Sequence, residues 1–168
     1  MAPVLETERL RLRPWRGDDL DTFATFMADG AETRFIGGPP TREDTWRRIA
    51  MFIGHWALRG FGNWVIEEKA SGALAGYSGL WEPEGWQHRE LMWGLLPAFR
   101  GRGYATEAAT RARAYAYGEL GWPTIVSYIA PENAPSRGVA ERLGAKQDGS
   151  IEMRGAVVDV WRHPANVT

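Results

Sequence analysis

The stretch from Glu90 to Glu107, ELMWGLLPAFRGRGYATE, constrains this chain more than any other. An apolar segment runs into Pro97, then into a loop holding Gly101 and Gly103, and then into a helix. Proline cannot donate to a strand ladder, so the strand is expected to cover Glu90 to Leu96. The two glycines carry no Cβ, so the backbone there can turn tightly and approach a ligand. From Ala105 onward, Ala108, Ala109, Ala112 and Ala116 recur at helical spacing and mark one face. A helix start has unpaired N–H groups and a partial positive charge, so the loop is expected to cradle an anion, a phosphate in the first instance.

Three phosphate loops compete for this pattern. A P-loop ends in Gly-Lys-Ser/Thr, and no Lys is present here. A dinucleotide fingerprint wants Gly or Ala where Thr106 stands and an acidic residue closing a strand about 20 residues later; Glu119 is near that distance but sits in a Gly-containing break. The third pattern is Arg/Gln-x-x-Gly-x-Gly/Ala, met by Arg100, Gly103 and Ala105. This loop resembles the acetyl-CoA pyrophosphate loop of the GNAT superfamily of N-acetyltransferases. A second segment, NAPSRGVAERLGA from Asn133 to Ala145, is similar to the helix that follows the fifth strand in that family. Its markers are Asn133, Ser136 and Leu143-Gly144-Ala145, with Ala145 where the family has an aromatic residue. The local chemistry agrees: Asn133 is a good N-cap, Pro135 is tolerated in a first turn, and Gly144 suits a left-handed stop.

Composition sets the class. The chain has 168 residues, enough for one domain spanning 1–168 with its own core. Apolar content of 44% and charged content of 24% are those of a globular protein. A net charge of -1 gives no reason to expect nucleic acid or an anionic membrane as partner. No apolar run is long enough to span a bilayer, the start lacks a signal-peptide pattern, and there is no cysteine; a cytoplasmic location is expected. Without cysteine, an acetyl-cysteine intermediate is excluded. His55, His88 and His163 lack metal-ligand spacing, so no metal is expected. Nine tryptophans are unusual, and a homodimer that covers exposed ones is compatible with that number.

The remaining elements follow from pattern. Thr7 to Trp15 alternates Leu10 and Leu12 with Arg9, Arg11 and Arg13, a half-exposed strand. Asp18-Asp19 are expected to cap a helix to about Ala28, with Leu20, Phe23, Phe26 and Met27 inward. Thr41 and Asp44 resemble a capping box for a helix to about Leu58, with Trp46, Ile49, Ile53 and Trp56 as its apolar stripe. Strands are expected over Trp64–Glu67, Ala73–Trp81 and Thr124–Ile129, and a closing hairpin over Gly149–Gly155 and Val157–Arg162. This order matches the GNAT fold over essentially the whole chain. The resemblance implies an α/β (α+β) architecture: a central mixed, mostly antiparallel seven-stranded sheet, about four helices, and a fourth and fifth strand that splay apart. The segments TERLRLRPW and Asp159-Val160-Trp161-Arg162 look like the RimJ/RimL-type branch of ribosomal-protein N-terminal acetyltransferases.

The resemblance also implies the site. The pantetheine arm of acetyl-CoA is expected against the main chain of Trp93, Gly94, Leu95 and Leu96, with Gly94 at a bulge. The pyrophosphate is expected on the amides of Gly101, Arg102, Gly103, Tyr104, Ala105 and Thr106, with Arg100 and Arg102 adding charge. Arg137 and Arg142 can reach toward the 3′-phosphate. Asn133 is expected to cap its helix and bond the cofactor. Glu90 is the candidate base, the alternative being a strand-edge salt bridge near Arg89. Many family members carry a Tyr as proton donor where this chain has Ala140; the resemblance to the RimL-like branch, which has a Ser as donor at the Ser136 position, implies Ser136 as the candidate donor, with Tyr128 as a cleft-lining alternative. Trp81, Trp86 and Trp93 flank the same site, as acceptor walls or as core, with His88 beside them. An α-amine titrates near 7.7–8, so neutralising it at pH 7 costs about 1 kcal/mol, against roughly 4.6 for a lysine amine. A protein or peptide α-amine is therefore the preferred acceptor. The alternatives are a small amine, a non-catalytic acyl-CoA sensor and a dinucleotide-binding module.

Overall fold

A computed structural model describes residues 2–165. In chain order it contains β1 (Leu5–Glu6), β2 (Leu10–Arg13), α1 (Leu20–Met27), α2 (Gly30–Thr33), α3 (Arg42–Arg59), β3 (Asn63–Glu68), β4 (Leu74–Trp81), β5 (Glu90–Leu95), α4 (Tyr104–Ala114), β6 (Val126–Ile129), α5 (Ala134–Arg142), β7 (Lys146–Met153) and β8 (Ala156–Arg162). Among the described residues the strands form one sheet in the order β1-β2-β3-β4-β5-β6-β8-β7. All neighbours are antiparallel except β5 and β6. The sheet thus has eight strands rather than seven. The extra one is β1, a two-residue strand that pairs Leu5 with Leu12. The sequence predicts one strand from Thr7 to Trp15, but Thr7 Oγ1 accepts from Leu10 N at 3.0 Å and turns the chain there.

Two layers cover the sheet. Phe23 and Met27 of α1 and Ile49 and Phe52 of α3 pack on Val65, Tyr77 and Trp81. On the other face, the expected alanine stripe of α4 lies on Leu12, Trp64, Ile66 and Leu91. Alanine on that stripe lets the helix axis approach the sheet closely, which draws the loop before α4 down to the end of β5. The inward stripe of α3 differs from expectation: Thr45, Ile49, Phe52 and His55 are buried. Trp46 and Ile53 face outward, 58% and 48% exposed. The helix carries apolar residues on two faces, and only the packing chooses between them.

Arg13, expected on the solvent side of its strand, is buried. Its guanidinium bonds Asp19 at 2.7 Å and Glu67 at 2.6 Å, so the buried cation is neutralised on both sides. Asp19 is consumed in this pair and in a bond from Arg16 N at 2.8 Å; it gives α1 no side-chain cap. α3 is capped as expected, Thr41 Oγ1 accepting from Asp44 N at 3.1 Å. Thr41→Ala is expected to cost about 1 kcal/mol in urea unfolding, with activity unchanged.

Candidate active site

β5 pairs with β6 through a single residue pair, Glu90 opposite Val126. Beyond that point the two strands part. α4 and α5 close the sides of the opening, and Phe26, Ala31, Glu32, Phe35 and Ile36 roof it. The result is a cavity of about 840 Å³, floored by Trp93, Gly94 and Leu95 and ended by the glycine loop. A second cavity of about 100 Å³ continues inward past Phe35, Tyr77, Trp93, Asn133 and Ser136, which line both, to Glu90 and Tyr128.

The glycine loop has the geometry of an anion cradle. Gly101 and Gly103 take φ of 72° and 80°, left-handed values that a side chain disfavours. Among the described residues, no N–H from Gly101 to Thr106 donates to a protein acceptor; Glu107 N, bonded to Gly103 O at 3.0 Å, is the first amide of the helix to do so. Six adjacent free donors at a helix start suit a diphosphate. The loop is pinned from behind, Arg9 donating to Arg102 O at 2.9 Å and Tyr104 Oη to Glu68 at 2.6 Å. Ala105 and Thr106 line the cavity beside them.

The arginines behave differently from expectation. Arg102 turns away from the cavity to Glu68 at 3.0 Å, because that carboxylate needs a cation. Arg100 lines the cavity, but its guanidinium is held by Glu32 of the roof and by the Leu95 carbonyl. Arg142 lines the cavity and donates to Thr106 Oγ1 at 3.2 Å, whereas Arg137 does not line it.

The main chain of β5 is also more selective than predicted. Leu96 N donates to Ala75 O at 2.9 Å, so the even-numbered residues of β5 direct their groups to β4. Of the four residues expected to hold the arm, Trp93 and Leu95 turn theirs to the gap, and Leu95 O is taken by Arg100. Gly94 and Leu96 therefore offer no free amide there. Gly94 is not at a bulge, since β4 and β5 stay in register from Glu90 to Leu95. It is glycine because a Cβ would lie 2.6 Å from the Tyr77 ring.

Glu90 makes no ion pair within the described residues, so the strand-edge alternative is not what the structure shows. Its carboxyl, 9% exposed, accepts from Trp86 Nε1 at 2.8 Å. Burial pushes its pKa up to about 7, against the Trp86 and Tyr128 N–H groups and Arg154, which pull it down. Tyr128 is raised to about 12 by burial and by Glu90, and its buried hydroxyl has no partner among the described residues. Asn133 caps α5, accepting from Ser136 N at 3.3 Å, and lines both cavities with Ser136. Trp81 is core, stacked on His55 at 4.3 Å. His88 stacks on Tyr128 at 6.4 Å. Sequence reasoning missed Phe35, Ile36 and Tyr77, which have no motif and enter the site only by folding over it. No group of three His, Asp or Glu side chains able to hold a metal occurs among the described residues.

This geometry agrees with what other proteins show. A crystal structure of an acetyltransferase from Agrobacterium tumefaciens superposes with a TM-score of 0.89 at 34% identity, over 98% of this chain and 95% of that one. The uncharacterized N-acetyltransferase YoaA of Bacillus subtilis is 26% identical over 90% of this chain and 87% of its own. A Vibrio cholerae structure, provisionally described as a ribosomal-protein-serine acetyltransferase, shares the fold at a TM-score of 0.79 and 18% identity, over 96% and 97% of the two chains. The family model described as an acetyltransferase (GNAT) domain matches residues 9–146, and the chain belongs to that family.

Proposed function

We propose that the protein transfers an acetyl group from acetyl-CoA directly to a primary amine, preferably the N-terminal α-amine of a protein or peptide. The observation that carries this is the coincidence, among the described residues, of six amides without protein acceptors at one end of the two joined cavities with the buried carboxyl of Glu90 at the other. Acetyl-CoA, the donor used by GNAT acetyltransferases, supplies the acetyl group as a thioester. The amides of Gly101 to Thr106 would hold its diphosphate, with Arg142 beside them, and the main chain of Trp93 would pair with the amide-rich arm. Glu90 takes a proton from the acceptor ammonium, so that the neutral nitrogen can attack the acetyl carbon. The Leu95 N–H, turned to the gap, faces the developing oxyanion. As the oxyanion collapses and the carbon–sulfur bond breaks, the Ser136 hydroxyl donates its proton to the leaving sulfur and regains one from the nitrogen, which gives up its second proton as the amide forms; Glu90 returns its proton to solvent.

A base near pH 7 suits an α-amine better than a lysine amine, since the proton transfer is then nearly balanced. The Vibrio cholerae description supports the same preference and the RimJ/RimL-like branch. A small amine is the second reading, favoured by the inner cavity of only about 100 Å³. An acceptor panel scored by thiol release separates them: peptides should turn over faster than free small amines, and the reverse order would overturn the preference. Acetyl-CoA at a hundredfold its Kd should stabilise the protein by about 2.7 kcal/mol in thermal melts, with NAD giving no shift. The same reading expects a cytoplasmic enzyme and a homodimer in which a second copy covers Trp46, Ile53 and Leu58 of α3. Sedimentation equilibrium of Trp46→Glu against the parent protein tests the dimer.

A further inference from the structure

The fork between β5 and β6 is held by a specific exchange of partners. Val126 N donates to Arg89 O at 3.0 Å, within the one regular pair of the two strands, Glu90 opposite Val126. In a continued parallel ladder the next rung would join Tyr128 N to Leu91 O. Instead Leu91 O accepts from Ser127 Oγ at 2.5 Å, and the Tyr128 N–H is left facing the gap, where Tyr128 and Glu90 both line the inner cavity. Ser127 is buried and has one proton to give. That proton goes to Leu91, so Ser127 Oγ must accept from His163 Nε2, 2.8 Å away. This assigns the His163 tautomer: Nε2 carries the hydrogen, and Nδ1 is the buried atom left without a partner among the described residues. Burial keeps the ring neutral, with a pKa lowered to about 3. The ring itself is fixed by its backbone, His163 N bonding Ile125 O at 3.0 Å and His163 O accepting from Tyr117 Oη at 2.8 Å. Trp93, whose main chain faces the gap, meets it edge-on at 6.2 Å.

We propose that Ser127, oriented by His163, is a positioning residue of the reaction: by occupying the Leu91 carbonyl it keeps the fork open from that residue onward and leaves the Tyr128 N–H to hold the Glu90 carboxylate. The inference rests on the proposed acetyl transfer and on Glu90 as its base. One hydroxyl then serves both ends of the site. It leaves the Trp93 main chain free for the cofactor arm, and it gives the base a donor that the sheet would otherwise consume. The other titratable or charged groups that bear on Glu90 are Arg154 at the β7–β8 turn, Tyr77 of β4 and Tyr128 itself, with His88 against the Tyr128 ring. None of them changes in the variants below.

The test uses the full chain, with two readouts: acetyl-CoA affinity by calorimetry, and the pH profile of kcat/KM. In Ser127→Ala the Tyr128 N–H is free to return to Leu91. Acetyl-CoA is then expected to bind about tenfold more weakly. The ascending limb of the profile should move up by about one pH unit, because Glu90 loses a donor to its charged form. Ser127→Thr, which keeps the hydroxyl, should restore both. His163→Leu, which leaves the hydroxyl unoriented, should give both shifts in smaller measure, and it is the variant to read should Ser127→Ala not fold. A loss of stability alone moves neither the limb nor the affinity of the folded fraction. Folded Ser127→Ala or His163→Leu protein with parental affinity and an unmoved limb would overturn the proposal. If the parent protein itself neither binds acetyl-CoA nor acetylates any amine, the reading of function fails first and this inference falls with it.

Discussion

Glu90→Gln is expected to lower kcat/KM for an α-amine acceptor by about a hundredfold at pH 7, with acetyl-CoA affinity unchanged. Glutamine keeps the side-chain length and can still accept from Trp86 Nε1, which now lies at 2.8 Å from the carboxylate, but it cannot take a proton. The pH profile makes the test specific. In the parent protein the rate should rise through about pH 7 as the buried carboxyl ionises, and rise again as the acceptor amine loses its own proton near about 8. In the variant only the acceptor limb should remain. Stability moves the opposite way. The folded-state pKa of about 7 lies above the ordinary value of 4.5, so the folded protein binds the extra proton between these two values. Its contribution is fully present below pH 4.5 and is lost as pH rises to about 7. Above that, the parent carries a buried charge that glutamine lacks, and the variant should be more stable by about 3 kcal/mol at pH 8, with little difference at pH 4.5. Melts at the two pH values check this. A variant with parental rate at pH 7 would remove Glu90 from the mechanism.

Gly94→Ala is expected to raise the KM for acetyl-CoA by at least about thirtyfold and to destabilise the protein by about 2 kcal/mol. A Cβ at this position would stand 2.6 Å from Tyr77 Cζ and 2.7 Å from its hydroxyl oxygen. Strand β5 cannot yield, because it is paired with β4 along its length. Tyr77 is buried among Phe23 and Phe52, with ring centroids at 6.0 and 6.3 Å, so its ring has one direction open to it, into the cavity it lines. The displaced phenol would then stand where the thioester end of the donor has to lie. The double variant Gly94→Ala/Tyr77→Ala discriminates this from a general loss of packing. It should recover acetyl-CoA affinity relative to Gly94→Ala while losing further stability, since it removes a buried ring. If the double variant binds no better than the single one, the obstruction account is wrong. The expectation of a bulge at Gly94 leads to a different outcome, because a bulged residue with open space above it would tolerate alanine.

The features legible in the sequence are those whose cause lies within a few residues. Pro97 ends β5, Gly101 and Gly103 supply left-handed turns, alanines at helical spacing mark the buried face of α4, and Thr41 and Asn133 cap their helices. Each follows from a dihedral preference, a missing N–H or a side chain reaching three residues on. The anion cradle and the order of elements are therefore readable from the chain alone. The choice between the two apolar faces of α3 is not, because Trp46 and Ile53 satisfy the same helical period as Ile49 and Phe52. The partners of Arg13, Arg100 and Arg102 are not, because Glu67, Glu32 and Glu68 are far off in sequence. Nor is the near-neutral carboxyl of Glu90, since desolvation is a property of everything packed around it. The sequence by itself determined the turns, caps and periodicities, whose energies are local. Only the tertiary structure decided which strand edge stays open and which donors face it, because a hydrogen-bond partner is chosen by distance in space, and Ser127 meets Leu91 and His163 only once the sheet has formed.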